Sequence, residues 1–357
     1  MQTRAPTPPR LPSRADWYGA LMAVRNRRFL LRERPTGRIG PDTFELSEDT
    51  VPDLGEGEAL VRVEWISLDP TNRMWINDTP TYLPPVAIGE VMRAAALGEV
   101  VASKNSRYPV GQKVQGLLGW QEYAVITDAS FLTPVDVADG MSPSTYLGAL
   151  GSTGLTAWVG IHDIGKPQPG QTVVVSAAAG AVGSVAGQLA KVAGARVVGI
   201  AGGPEKCALL TEQLGFDAAV DYRADDWTAQ LSAATRDGVD VDFENVGGDI
   251  MDAVFARLNI GARVALCGLI SGYNAADPPP GPRAFGNVLI QRATVQGFIV
   301  LDHLGRASQA ATEIGGLIAA GKLTPLETVV EGFEQLPDAI NMLFDGKNVG
   351  KLVVKSD

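Results

Sequence analysis

Between Phe29 and Val135 apolar and polar positions alternate in short runs broken by Pro, Gly and Asp. Residues 59–66 (ALVRVEWI), the stretch around Glu99 to Val101 and residues 122–126 (EYAVI) have the texture of half-buried strands, and turn signals such as PVG at 109–111 separate them. This part predicts a β-rich, barrel-like unit. The pattern changes after Tyr146. Residues 146–161 are apolar at helical spacing, and the loop 166–170 leads into the next element, so a domain junction falls here.

Residues 172–194, TVVVSAAAGAVGSVAGQLAKVAG, organise the second half of the chain. The branched run 172–175 predicts a buried parallel strand, and Val182, Val185, Ala186, Leu189 and Ala190 fall on one face of a helix. Between them Ala178, Gly180 and Gly183 stand at the GxGxxG positions, with Ala in the first. Little side-chain bulk then separates the free N–H groups of the helix N-terminus from a pyrophosphate. The same residues also describe a small-residue helix packed on a sheet without a ligand. Strand patterns at 196–200, 239–243, 261–267 and 294–300 alternate with helical ones at 249–258 and toward Ala320 and Gly321. The predicted fold is α/β, a doubly wound parallel sheet beside the β-rich domain. Strand-like residues 327–330, a short helix over 337–344 and a closing strand at 350–354 suggest a return to the first domain. PPPGP at 278–282 bounds a loop.

A chain of 357 residues, 45% hydrophobic and 20% charged, suits two domains. Thirty basic against 40 acidic residues, net −10, argue against a nucleic-acid partner. Two cysteines, Cys207 and Cys267, make no disulfide framework and fit a reducing compartment. No apolar run reaches membrane-spanning length, and the Pro- and Arg-rich start lacks a secretory pattern. The expectation is a cytoplasmic protein with a flexible tail over residues 1–20.

Several residues bear on chemistry. The strand 196–200 ends in Ala201, Gly202 and Gly203, where NAD-preferring enzymes place an acid on the ribose hydroxyl. Here no acid stands at the tip; Lys206, Tyr222 and Arg223 come after it instead, a cation and phenol set that suits an extra phosphate and so NADPH over NADH. Taken alone, Lys206 beside Glu205 is equally a solvated helix charge. Residues 1–161 contain neither Cys nor His, so the first domain lacks the usual ligands of a catalytic zinc. His162 and His303 have no ligand pair and read as surface or hydrogen-bonded histidines. Hydride chemistry supplied by a nicotinamide fits a chain with so few acid/base groups. Tyr273, in CGLISGYN at 267–274, follows a strand; its phenol would stabilise an enolate oxygen, or else it caps the sheet as a loop tyrosine. Residues 69–73 (DPTNR) with Met74 and Trp75 form either a lip over a pocket or a capped turn with Trp75 in the core, and residues 81–85 (TYLPP) read as a loop.

From about Asn26 onward the chain resembles the zinc-free medium-chain dehydrogenase/reductases, the group of prostaglandin and leukotriene reductases, plant alkenal double-bond reductases and bacterial curcumin reductases. The likeness rests on SLDP at 67–70, GLTA at 154–157, AAAGAVGSVAGQLAK at 177–191, AGGPEKC at 201–207, ENVGG at 244–248, CGLISGYNA at 267–275, QGFIV at 296–300 and GKNVGK at 346–351. It implies a GroES-like substrate domain over 21–147 completed by 325–357, a Rossmann NADPH-binding domain over 148–324, a cleft between them and usually a homodimer. By matching motifs, Lys206 and Tyr222 would hold the 2′-phosphate, and Gly180, Ala181, Val182, Gly183 and Ser184 the pyrophosphate. Asn72, Thr156, Asn245, Cys267, Ser271, Phe298, Ile299, Val300 and Asn348 would line the rest of the cofactor. Thr71, Trp75, Tyr82 and Tyr273 would meet the substrate, with Tyr273 on its carbonyl. Two departures fall near this pocket: Thr71 stands where the family commonly has the tyrosine of DPYMR, and GSTG at 151–154 replaces GMPG. Both make the pocket more polar and roomier. The activity implied is NADPH-dependent reduction of the C=C bond of α,β-unsaturated ketones or aldehydes without zinc. Carbonyl or quinone reduction is the alternative, and a non-catalytic NADPH-binding sensor or partner protein is a third reading.

Overall fold

The computed structural model describes residues 24–277 and 279–356; the expected tail over residues 1–20 and Pro278 of the PPPGP loop lie outside them. In chain order the strands are β1 (Arg25–Leu31), β2 (Phe44–Thr50), β3 (Ala59–Leu68), β4 (Ala96–Ser103), β5 (Lys113–Gly116), β6 (Tyr123–Ile126), β7 (Thr133–Val135), β8 (Thr172–Val175), β9 (Arg196–Ala201), β10 (Ala218–Asp221), β11 (Val239–Glu244), β12 (Leu258–Leu266), β13 (Thr294–Gly297), β14 (Glu327–Glu331) and β15 (Lys351–Lys355).

The branched residues of β8 are buried at every position, as a strand covered on both faces requires. Around it lies a six-stranded sheet in the order β10-β9-β8-β11-β12-β13, parallel at every pair. The order reverses at β8, which puts a topological switch point at its carboxyl end. The helix Ala181–Val192 carries the chain from β8 to β9 and buries Val185, Ala186, Leu189 and Ala190, the face expected from their spacing.

A second sheet runs β14-β15-β3-β4-β5-β7, with β6 also paired to β3. β15 is parallel to β14 and antiparallel to β3, so residues 351–355 are an inner strand of a sheet otherwise built largely from the first 135 residues. Its core gathers Leu31, Ile66, Leu68, Trp120, Phe333 and Val354.

Three expected elements differ. The helix expected over 146–161 starts only at Ser152, because the chain first doubles back: a Cβ on Gly151 would lie 2.2 Å from the Tyr146 carbonyl oxygen. Past Val159 it widens into a π-helical turn, Gly160–Gly165, where the Phe243 ring fills the space a Gly160 side chain would need. The helix over 337–344 is two single turns, Leu336–Ala339 and Met342–Asp345, with buried Asn341 between them donating to the Ile39 carbonyl at 3.2 Å. The strand expected to reach Val300 ends at Gly297 and gives way to a 3₁₀ segment, Val300–Arg306. Among the described residues no helix is long and apolar enough to cross a membrane.

Candidate functional site

At the switch point the chain leaves β8 through Ser176 and turns at Ala177, whose φ of 48° is left-handed. Gly180 caps the helix Ala181–Val192. A Cβ on Gly183 would lie 2.5 Å from the Ala177 carbonyl oxygen, so only glycine lets the first helical turn approach the loop this closely. Ala181 and Val182 are half-buried and Ser184 is buried. The first-turn N–H groups of this helix lack intrahelical acceptors, which makes the cradle suited to a phosphate. Gly350 N donates to the Ala179 carbonyl at 2.7 Å, and Gly180 and Gly350 form a parallel bridge. Asn348, also buried, donates to the Gly350 carbonyl at 3.0 Å. The segment entering β15 is therefore fastened to the loop.

At the tip of β9, Tyr222 and Arg223 lie over Gly202: a Cβ there would be 2.9 Å from Tyr222 Cζ and from Arg223 Nε. Asp221, at the end of β10, is engaged in this turn. Its Oδ1 accepts from Gly203 N at 2.7 Å and Arg223 N at 3.0 Å, holding the turn. Lys206 is half-buried, and its ammonium is pushed below the ordinary lysine value, first by burial and then by the Arg223 charge. Arg223 also donates to the Asp345 carbonyl at 3.1 Å, while the Asp345 carboxylate pairs with Arg38 and Lys347. A chain of net charge −10 thus gathers Lys206, Arg223, Arg38 and Lys347 in one neighbourhood.

β11 ends at Glu244 and is followed by Asn245, whose side chain donates to the Ser176 carbonyl at 2.7 Å. From the end of β12, residues 267–273 fold along it, with Ser271 donating to the Val246 carbonyl at 2.6 Å. Burial pushes the Tyr273 phenol above the ordinary tyrosine value, against the pull of the Leu269 N–H, which donates to it at 3.2 Å. Its own proton is left to donate elsewhere. Desolvation, reinforced by Glu244, pushes the Cys267 thiol up to about 12, so it is not a nucleophile. Phe298, Ile299 and Val300 follow β13 half-buried, with the Phe298 ring against Gly160.

The facing wall is the helix Pro70–Trp75, capped by Asp69. Thr71 is half-buried on it, and buried Trp75 meets Tyr82 edge-on at 6.5 Å. Burial raises the Tyr82 phenol, Thr71 and Trp75 pull it back down, and Tyr273 and Asp69 raise it further. Thr71, Trp75, Tyr82 and Tyr273 therefore share one locality, although Tyr273 comes from the other end of the sequence. Two other expected cofactor residues have their side chains engaged by the fold. Asn72 is 1% exposed, accepting from Asp69 N at 2.7 Å and donating to the Arg93 carbonyl at 2.9 Å. Thr156 donates to the Ser152 carbonyl on its own helix at 2.7 Å. His162 bonds to the Trp158 carbonyl and Glu313, and His303 packs against Phe298.

Arg73 and Lys351, each 2% exposed, are buried cations that apolar spacing does not single out. Lys351 donates to the Leu68 carbonyl at 3.0 Å and pairs with Asp69, joining β15 to the cap of the helix Pro70–Trp75. Its only signal is its place at the end of the GKNVGK motif.

Together the reversed strand order, the glycine-lined helix N-terminus and the phenol-bearing wall define a dinucleotide-binding α/β oxidoreductase. The family described as "N-terminal domain of oxidoreductase" matches residues 27–135, and the one described as "Zinc-binding dehydrogenase" matches residues 181–314. The chain is 43% identical to the NADPH-dependent curcumin reductase of Escherichia coli (strain K12), over 93% of this chain and 97% of the relative. It is 39% identical to prostaglandin reductase 1 of Mus musculus, over 93% and 100% of the two chains. The crystal structure of CurA from Vibrio vulnificus in complex with NADPH superposes with a TM-score of 0.88 at 42% identity, covering 93% of this chain and 99% of that one. The protein belongs to the zinc-free medium-chain dehydrogenase/reductase family, in the curcumin, prostaglandin and 2-alkenal reductase group. The zinc of the second description finds no fit: among the described residues no three His, Cys, Asp or Glu side chains are grouped to hold a metal ion.

Proposed function

We propose that this NADPH-dependent oxidoreductase reduces the carbon–carbon double bond of α,β-unsaturated ketones and aldehydes, with Tyr273 as the group that steadies the substrate oxygen. The observation that carries the reading is that Tyr273, whose chain neighbour Asn274 accepts from Arg73 at 3.0 Å, is thereby held to the helix bearing Thr71 and Trp75, with Tyr82 edge-on to Trp75. Burial keeps both phenols protonated at neutral pH. Tyr273 accepts from the Leu269 N–H, so its own O–H is available to a carbonyl oxygen. As the β carbon is reduced, negative charge collects on that oxygen, a donor already in place stabilises it without reorganising, and a proton from water taken up at the α carbon completes the saturated product. Trp75 and Tyr82 would flank the conjugated chain, and Thr71 adds a hydroxyl.

When bound, the reduced nicotinamide supplies the hydride. Lys206 and Tyr222, with Arg223, would hold the 2′-phosphate, and residues 180–184 the pyrophosphate. Asn245, Cys267, Ser271, Phe298, Ile299, Val300 and Asn348 would line the remainder, with Asn72 and Thr156 beneath it. Relatives named curcumin reductase, prostaglandin reductase and 2-alkenal reductase support this choice.

The test is NADPH consumption with a panel of enones and enals beside saturated aldehydes and quinones, run with wild type and Lys206→Ala. Turnover of the enones is expected. Loss of a charge-assisted contact of about 1.5–3 kcal/mol should weaken NADPH binding in Lys206→Ala while NADH binding changes little. Reaction of aldehydes or quinones alone would replace the proposal with carbonyl or quinone reduction, and equal losses for both cofactors would remove the 2′-phosphate assignment.

A further inference from the structure

Arg73 is enclosed by the fold, 2% exposed, and among the described residues every acceptor its guanidinium finds is neutral. Nη2 donates to the carbonyls of Pro35 and Gly37, both at 3.0 Å. Nε donates to the Gly37 carbonyl at 3.1 Å and to Asn274 Oδ1 at 3.0 Å, and Nη1 donates to Asn77 Oδ1. Burial accordingly lowers its pKa from the usual arginine value. A buried cation without a counter-ion is costly to desolvate, and an apolar side chain of similar volume would commonly serve stability as well or better. Only the planar fork of an arginine, with five donors in fixed directions, reaches three separate segments at once.

Those segments are informative. Arg73 and Asn77 belong to the helix Pro70–Trp75 and its exit, the wall that carries Thr71 and Trp75. Pro35 and Gly37 come from the loop after β1, and Gly37 lies against the Asn274 backbone, where a Cβ would be 3.9 Å from the Asn274 carbonyl oxygen. Asn274, 201 residues away in sequence, is bonded directly to Tyr273. The loop 267–273 is otherwise tied to the sheet on its own side, through Ser271 and Val246. The Arg73 to Asn274 bond ties it to the helix Pro70–Trp75 as well.

We propose that Arg73 and Asn274 form a latch that sets the distance of Tyr273 from the Thr71 and Trp75 wall, making both positioning residues for the reduction. The inference rests on the role given to Tyr273 under Proposed function. Neither residue need touch substrate: the latch fixes where the phenol stands when a carbonyl arrives, and misplacement of such a group by about 1 Å costs up to about 100-fold in rate.

A double-mutant cycle on kcat for an enone tests it, using Asn274→Ala, Tyr273→Phe and the pair together, with thermal melts and NADPH titrations alongside. The latch predicts that Asn274→Ala lowers kcat by about 10- to 100-fold with NADPH affinity unchanged. In the Tyr273→Phe background the same change should cost less than about twofold, because the group it positions is gone. Asn274→Asp, which keeps the acceptor for Arg73, should restore most of the rate, and Arg73→Lys, which cannot reach all three segments, should not. Should Arg73→Lys fail to fold, the Asn274 cycle decides alone. Equal losses in both backgrounds, or a fall in melting temperature with kcat intact, would overturn the latch. Full activity of Tyr273→Phe would instead remove the reading of Tyr273 itself.

Discussion

Asp242 on β11 is fully buried, in register with Val174 and Val264 of the flanking strands, and neither of its carboxylate oxygens has a hydrogen-bond partner among the described residues. Its neighbour on the same face is Glu244, also fully buried. Burial pushes both carboxyls up, Asp242 further. Glu244 is drawn back down by donors at one oxygen, Ser176 Oγ at 2.8 Å and Gly247 N at 2.9 Å among them. Asp242 therefore folds protonated, while the unfolded chain releases that proton near the ordinary aspartate value. Above that value the unfolded state binds fewer protons than the native one, so this site loses stability as pH rises toward the folded pKa. Asp242→Asn removes the ionisation and keeps the shape. It is expected to raise the melting temperature, with an advantage that grows through the mildly acidic range by up to about 1.4 kcal/mol per pH unit. Melts from pH 5 to 8 check this; an advantage that shrinks with rising pH would mean Asp242 is charged in the native protein.

The glycine bend and the helix Ala181–Val192 act as one element: the turn at Ala177 and the missing side chain at Gly183 bring the helix N-terminus to the end of β8. Gly183→Ala places a methyl 2.5 Å from the Ala177 carbonyl oxygen. The helix or the turn must shift, at about 1–3 kcal/mol of stability, and NADPH binding should weaken by at least about tenfold, roughly 1.4 kcal/mol. Calorimetric titration and urea melts read the two effects; unchanged binding would show that the phosphates do not rest on this turn. This element was legible in the sequence because its information is local: branched residues, then small ones, then helical spacing. The β-rich strands and the alternation after residue 172 were legible for the same reason. The Arg73 to Asn274 bond was not, since its partners are 201 residues apart and neither disturbs a period. The split of residues 337–344 into two turns depends on an inward bond from Asn341 to Ile39, equally invisible to spacing.

Across the whole molecule the six- and seven-stranded sheets are joined where Gly350 is bonded to Ala179, and Arg223 is bonded to Asp345 nearby. The outer side of the parallel sheet is different in character. Among the described residues β13 is its last strand, and just before it Phe285, Leu289 and Ile290 are 57%, 82% and 62% exposed. A sheet edge beside exposed apolar side chains is the kind of surface that association covers, and the homodimer that the resemblance implies is expected to use it. Light scattering should give twice the chain mass, and Leu289→Glu should reduce it to one; a monomeric wild type would rule the dimer out.

The placing of β15 between β14 and β3 bears on how the protein is made. Lys351 and its acceptor Leu68 are 283 residues apart, so on the ribosome the Trp65–Leu68 end of β3 waits with an unfilled edge while the parallel sheet, complete by residue 297, can already assemble. Until the inner strand emerges, the half-built sheet is the nascent chain's point of exposure to chaperones and to aggregation.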